Sequence, residues 1–571
     1  MVLALWFVLT IALIAGEREG TATEAATAQT LGRSAQPARA PQPGDALPSP
    51  TNCRYGISQL FTPWPMLAWT PMLGAGWFAN FNHYEPAEPH AEFVSTIRLR
   101  QLFDSQGARL PGYRVLPPLT ESYEENGITF RGLGPYVRSR PGAIWLVGNE
   151  IEIDNTRQDN IMPDIYARAY HEVYHYIKGI DPTARVAIGS VTMGTPGRLQ
   201  YLDIVWDTYR ARYGVDMPVD VWNVHIYILP ERTMSLEPHY ADGKIALGTD
   251  PNLAYFSTND PNLCPSPHQP DLAANDPRPD VYCKAEHDSD RIFREQVYNL
   301  RRWMKEHGQQ DKPLIISEYG SLFAYEGGQA DGTCERRQDE FGRCMYPERV
   351  ATFLRETAHF MENTQDPELG YPQDGFRLVQ RWLWYSLHTP ELIGDSSNLL
   401  SDDYATHLPG SPDALTLVGQ AFREEAWANA VSNLTAEGDT AVILMADEAD
   451  GRADALITAS FRNSETLSVV EPFVITFYAD AALTTPIGSA VVKPAVTGSV
   501  AGCSWGQNAR TVSVTWPDLS PGTYRYWAKV DSGGEINESD ESDNVTTGGV
   551  VTVYPAGDYP YTTYLPITRW K

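Results

Sequence analysis

From residue 54 to residue 428, short β-branched or aromatic runs alternate with longer amphipathic stretches, and this alternation leaves the chain few folds. Strands are expected at Arg54–Ser58, Gly76–Asn82, Phe93–Arg100, Ala143–Glu150, Arg185–Val191, Val219–Ile228, Pro313–Glu318 and Arg377–Tyr385. Helices are expected over 162–180, 198–213, 288–307, 348–362 and 413–427. Repeated strand–helix alternation implies parallel strands joined by crossover helices. Eight such strands fit an α/β fold of the (β/α)8 TIM-barrel type, with insertions, better than a doubly wound sheet. No glycine-rich phosphate loop follows the first strand, so a nucleotide-binding fold loses support.

After residue 430 the helical period stops. Short alternating runs such as ALITASFRN, FVITFYAD and RTVSVTW, separated by Gly, Pro and Asp turns, predict an all-β Ig-like sandwich over 431–556 and a short tail over 557–571. At the other end, residues 2–15 are one uncharged apolar run, short for a bilayer span of roughly 20 residues and suited to a signal peptide. Residues 1–16 are therefore expected to be a signal peptide or N-terminal anchor, and 17–50 an Ala/Thr/Pro-rich linker to a catalytic body over 51–430. A secreted or cell-surface location follows. The 72 acidic residues outnumber the 44 Lys and Arg, giving a net charge of −28, which repels phosphate backbones and makes nucleic acid a poor partner.

Six cysteines and no C-x-x-C pair fit an oxidising compartment and argue against zinc ribbons. Cys264–Cys283 and Cys334–Cys344 are the favoured pairings, since each closes a short Pro/Asp/Gly-rich loop. Cys53 and Cys503 are either free or paired across domains.

Two apolar strands end in a carboxylate: AIWLVGNE delivers Asn149 and Glu150, and PLIISEYG delivers Glu318. A barrel collects its strand tips around one mouth, so these residues can face each other despite their separation in sequence. Two facing carboxyls are the minimum for glycoside hydrolysis, one protonated to release the leaving oxygen and one ionised to attack the anomeric carbon. A lone strand-end Glu more often just caps the following helix. Two in one barrel, one preceded by Asn, favour chemistry.

The ordered set Gly148–Glu150, Ile177–Ser190, Trp222–Tyr227, Pro313–Gly320 and Arg381–Leu387 resembles the large clan of retaining (β/α)8 glycoside hydrolases. The resemblance implies that Glu150, after the fourth strand, is acid/base and that Glu318, at the seventh, is nucleophile. It further implies that Asn149 holds a sugar 2-hydroxyl and that His225 or Tyr227 hydrogen-bonds the nucleophile or substrate. Trp384 would be a sugar platform or else a core tryptophan, with Trp382 expected to face the other way. The clan's arginine near the second strand has no clear counterpart unless Arg98 or Arg100 serves. Such a mechanism needs no metal or organic cofactor. Glu318 is expected to raise the pKa of Glu150 and keep it protonated.

His171-Glu172-Val173-Tyr174-His175 matches the H-E-x-x-H zinc signature. Ile165, Ala169, Val173 and Ile177 define the buried stripe of that helix, which puts both histidines on its outer face, and no third ligand follows at a suitable spacing. Gly522–Val553 resembles the cell-adhesion-related domain of bacterial surface proteins, which implies attachment or spacing. Its acidic turn 531–543 lacks the spacing of an EF-hand and reads as a solvated turn, although its oxygens suit Ca²⁺. The expected function is a secreted retaining glycosidase acting on β-linked poly- or oligosaccharides. The alternative is a non-catalytic carbohydrate-binding or adhesion protein on the same scaffold.

Overall fold

The computed structural model describes residues 51–58, 66–83, 91–125, 127–155, 157–231, 244–254, 286–322, 343–389, 394–438, 440–494, 500–503 and 509–557. The expected leader, linker and C-terminal tail, and Cys264, Cys283 and Cys334, lie outside these residues.

Among the described residues, twelve strands precede residue 430. They are β1 (Asn52–Ser58), β2 (Ala75–Ala79), β3 (Glu92–Phe93), β4 (Ser95–Phe103), β5 (Arg109–Leu116), β6 (Ser122–Glu125), β7 (Ile128–Arg131), β8 (Ile144–Val147), β9 (Arg185–Ile188), β10 (Trp222–Ile226), β11 (Leu314–Tyr319) and β12 (Arg381–Trp384). The described residues also form the helices α1 (Met66–Leu73), α2 (Leu133–Ser139), α3 (Pro163–Ile180), α4 (Pro196–Tyr213), α5 (Asp290–Glu306), α6 (Pro347–Asn363) and α7 (Leu417–Ala428).

The parallel pairings follow chain order. β1 pairs with β2, and β2 with β3, which Val94 alone separates from β4. β4 pairs with β8, and β8 with β9. A parallel bridge joins Ala187 of β9 to Val221, next to β10. β10 pairs with β11, β11 with β12, and β12 with β1 again. All eight expected strands are present, mostly shorter at their ends than the hydrophobic runs suggest. The excursion between β4 and β8 adds an antiparallel partner, β5, and the β6–β7 hairpin.

Successive strand residues point to opposite faces, and two clusters record this. Trp145, Val147, Val186, Trp222, Val224, Leu314 and Trp382 join helix residues such as Val173 and Phe353 in the main core. Their neighbours Ile144, Leu146, Ala187, Val221, Ile315 and Leu383 form a second cluster around Trp77. Gly56 makes room for that indole, since a Cβ there would lie 2.4 Å from Trp77 Cε2. The helices form for local reasons as well as through burial. Proline occupies the first turn of α3 and α4, and Gly214, at φ +72°, ends α4 in the left-handed conformation.

Beyond residue 430 come β13 (Leu434–Ala436), β14 (Ala441–Met445), β15 (Ala453–Asn463), β16 (Phe473–Tyr478), β17 (Pro486–Val492), β18 (Arg510–Leu519), β19 (Gly522–Lys529) and β20 (Gly549–Tyr554). They form a three-stranded sheet, β13-β15-β18, and a five-stranded sheet, β14-β20-β19-β16-β17. Alternate residues such as Ile457, Phe461, Ile475, Phe477 and Val551 fill a separate core. The two modules are joined covalently: Cys53 of β1 is disulfide-bonded to Cys503, 450 residues away. Asn52 beside it donates to the Asn429 carbonyl at 2.9 Å and bridges to Leu467. Cys344 is also disulfide-bonded, and no cysteine is free among the described residues.

Candidate active site

The chain after β8 turns sharply. Gly148 has φ +115°, where L side chains are rare, and a Cβ there would meet Ile151 Cγ2 at 2.5 Å. Glu150 itself is left-handed at φ +46°, held by a hydrogen bond from its N–H to Ser190 Oγ at 3.1 Å. A strained non-glycine residue of this kind persists only where its surroundings over-determine it. Glu318 reaches the same place from β11. The register between β10 and β11 shifts after Val224, so that His225 pairs with Glu318. Such irregularities re-aim side chains beside functional sites.

Glu150, His225 and Glu318 meet. All three are buried, and one ligand atom from each lies within 4.8 Å of the others. His225 Nδ1 sits 3.2 Å from Glu150 Oε1 and 3.7 Å from Glu318 Oε2. Tyr227 donates its hydroxyl to Glu318 Oε1 at 2.5 Å. Burial and the charge of Glu150 push Glu318 up to about 7, against the pull of His225, Tyr227 and Arg98. Burial disfavours a charged His225, but the carboxylates of Glu318 and Glu150 outweigh it and raise the imidazole. Burial and Glu318 hold Tyr227 well above the usual phenol range, so it remains a proton donor.

Asn149 follows the same strand and donates from Nδ2 to Gln158 Oε1 at 3.0 Å. Beneath it Asp159 is a hub: it accepts the N–H groups of Asn149 and Leu99, each at 2.9 Å, and Arg98 Nε at 2.5 Å. Arg98 therefore stands near the acids, held by a carboxylate nine residues beyond Glu150. No periodicity marks Gln158 or Asp159 in the sequence.

Trp384 is not brought to this cluster. It lies in the main core, edge-on to Tyr319 at 4.9 Å, with its indole N–H on the Ser397 carbonyl at 2.7 Å. Trp382 lies in the same core, because residues two apart on a strand share a face. The expectation of opposite facings is corrected accordingly. Tyr385 points the other way, grouped with Phe81, whose ring lies 6.2 Å from that of His225. Strict alternation from Leu383 would have singled it out.

Residues 440–548 match the CARDB family profile. The C-terminal module carries a CARDB domain. No curated protein matches the chain. Among solved structures, the CARDB domain of a Pyrococcus furiosus protein is 18% identical, with a TM-score of 0.17, covering 22% of this chain and 94% of that one. An endo-β-1,3-glucanase from Lentinula edodes is 13% identical (TM-score 0.31), covering 65% of this chain and 98% of its own. A glucosidase from Croceicoccus marinus is 12% identical (TM-score 0.34), covering 82% and 94%.

The H-E-x-x-H stretch lies on α3, whose buried residues include Ile165, Ala169, Val173 and Ile177. His171 stacks on Tyr213 at 3.7 Å and meets the Tyr209 hydroxyl at 2.8 Å. Both partners belong to α4, so this histidine helps pack one helix against the next.

Proposed function

We propose that the chain is a secreted glycoside hydrolase that cleaves β-linked glycans by retaining double displacement. The observation that carries this reading is the meeting of Glu150 and Glu318, one oxygen of each within 4.8 Å of the other. Retaining enzymes hold their carboxyls about 5–5.5 Å apart, whereas inverting ones leave about 6.5–9.5 Å for a water. The cycle of parallel pairings from β1 to β12 supports a (β/α)8 barrel, whose strand tips surround one mouth.

In this mechanism Glu150 gives its proton to the glycosidic oxygen while Glu318 attacks the anomeric carbon and forms a glycosyl ester. Glu150, now a carboxylate, takes a proton from water, which attacks the anomeric carbon of that ester and releases Glu318 as the carboxylate. The bond from Tyr227 and the nearby charge of Arg98 favour the ionised Glu318 that attack requires. His225 lies between the two acids and holds their positions. Asn149 would take the sugar 2-hydroxyl, and Tyr385 with Phe81 would supply the apolar wall expected of Trp384. The CARDB domain would serve attachment to a cell surface or glycan.

A panel of β-linked polysaccharides tests this. New reducing ends should appear with the wild type and vanish in Glu150→Gln and Glu318→Gln, and proton NMR should find the first product with the substrate's anomeric configuration. Glycan binding without turnover in all three proteins would favour the binding-protein alternative. Loss of turnover in chelator, restored by metal, would reassign the same three side chains to a cation.

A further inference from the structure

Just beyond Glu150, the segments that follow β8, β9 and β10 converge on one guanidinium. Arg198 lies in the first turn of α4 and is fully buried, as are Glu152 and Glu231. Its Nε sits 3.4 Å from Glu152 Oε1 and donates to Thr192 Oγ1 at 3.2 Å. Its Nη1 pairs with Glu231, whose Oε1 also accepts the Thr195 hydroxyl at 2.8 Å. Its Nη2 donates to the Lys244 carbonyl at 2.9 Å. Thr192 closes the group, giving Glu152 Oε1 its N–H at 2.8 Å and its hydroxyl at 2.6 Å.

Stability does not account for this arrangement. Helix N-termini favour anions, so a cation in the first turn of α4 gains nothing from the helix dipole. Taking ions out of water is costly, and apolar side chains of similar volume often serve a core as well or better. Two carboxylates share the guanidinium, and Glu152 Oε2 and Glu231 Oε2 are buried with no hydrogen-bond partner among the described residues. What the group achieves is to hold a backbone in place. Residues 150–152 run along residues 190–192. Glu150 N–H reaches Ser190 Oγ at 3.1 Å, Ile151 N–H donates to the Ser190 carbonyl at 3.1 Å, and Glu152 takes both donors of Thr192. The left-handed Glu150, at φ +46°, needs restraint from its surroundings. Asp159 restrains the approach to it through the Asn149 N–H, and Arg198 restrains the exit through Glu152.

Resting on the reading of Glu150 as acid/base, we propose that Arg198 is the positioning residue that sets where Glu150 presents its proton, acting through Glu152 and Thr192. Its planar fork reaches Glu152, Glu231 and the Lys244 carbonyl at once, which the point charge of a lysine does not. The consequence falls on one step. Departure of a sugar alkoxide needs the proton of Glu150, whereas dinitrophenolate, a far weaker base, leaves without one. Displacing the acid therefore penalises the glycan and spares the activated substrate.

The test measures kcat/KM of the full chain on two substrates: the β-linked polysaccharide cleaved in the panel, and the 2,4-dinitrophenyl β-glycoside of the sugar that digestion releases. Glu150→Gln sets the reference, with a large loss on the first and little on the second. Arg198→Lys should lose about 10- to 100-fold on the polysaccharide and stay within about threefold on the dinitrophenyl glycoside. Thr192→Val, which deletes the hydroxyl and keeps the shape, should show the same split in milder form. Thr192→Ser should restore both values, so a poorly folded Arg198→Lys leaves the proposal falsifiable. Equal losses on both substrates, or an unchanged polysaccharide rate, in the Arg198 and Thr192→Val variants would overturn the positioning role; if Glu150→Gln still shows the split, the acid/base reading stands. A wild type inert on both substrates, or a Glu150→Gln without the split, would remove the acid/base reading and this proposal with it.

Discussion

Tyr227 donates its phenolic hydroxyl to Glu318 Oε1 at 2.5 Å, from the segment just beyond β10 to the adjacent strand β11. A donor aimed at a carboxylate favours its ionised form. The Tyr227→Phe variant should therefore raise Glu318 further above its present value of about 7. Since attack needs the ionised form, the acidic limb of kcat/KM should move upward by roughly one pH unit, with a loss of about tenfold at pH 6 and little at pH 9. A pH–rate profile decides it, and an unmoved acidic limb would contradict the assignment of Glu318 as the attacking group.

The same shift affects stability. Glu318 is raised from 4.5 to about 7, so the folded state binds its proton more tightly than the unfolded chain does. That contribution is fully present below pH 4.5 and is lost as pH rises through about 7. Replacing the acid with Gln removes the penalty of ionising it in the core. Glu318→Gln should thus gain on the wild type by up to ~3 kcal/mol between pH 4 and pH 8. Denaturant unfolding at both pH values measures the difference, and a constant gap would refute it.

Trp384 and Tyr385 are neighbours with opposite duties. Truncating the buried Trp384 to Ala should cost about 3–5 kcal/mol of stability. In Trp384→Phe, whose smaller ring keeps the core largely filled, KM should stay within about twofold. Tyr385→Ala should raise KM about tenfold, as loss of a sugar-facing wall worth about 1–1.5 kcal/mol would, and should also lower the unfolding midpoint because the ring is buried. Paired melting curves and kinetics separate the two, and the reverse pattern would restore Trp384 as the platform.

Cross-links that close long loops restrict the unfolded chain most. The Cys53–Cys503 bond closes one of 450 residues. The Cys53→Ser, Cys503→Ser double variant should lose about 2–5 kcal/mol. Calorimetry should then resolve a lower transition for the CARDB domain ahead of the larger module. A single unshifted transition would mean that the contacts of Asn52 and Leu467 suffice.

Much of this was legible in residues alone. Each acid closes an apolar run that becomes a parallel strand, β8 before Glu150 and β11 for Glu318, and the pairings through β9 and β10 carry the two strand ends to one site. Trp384 stood open between platform and core, and counting faces from Leu383 assigns it to the core. The Arg98–Asp159 pair was hidden, since a single Asp in a polar loop carries no period. The Cys53–Cys503 partnership stayed open for a related reason: spacing describes short loops well and says nothing about partners far apart.

The staple at Cys53 also has a place in time. At synthesis rates of about 5–20 residues per second, its partner appears roughly 20–90 seconds later. The opening strand of the larger module must therefore find its place and wait unlocked while nearly everything else is made. A chain halted anywhere short of Cys503 would leave Cys53 without this partner, and the first strand without its covalent tie to the last domain.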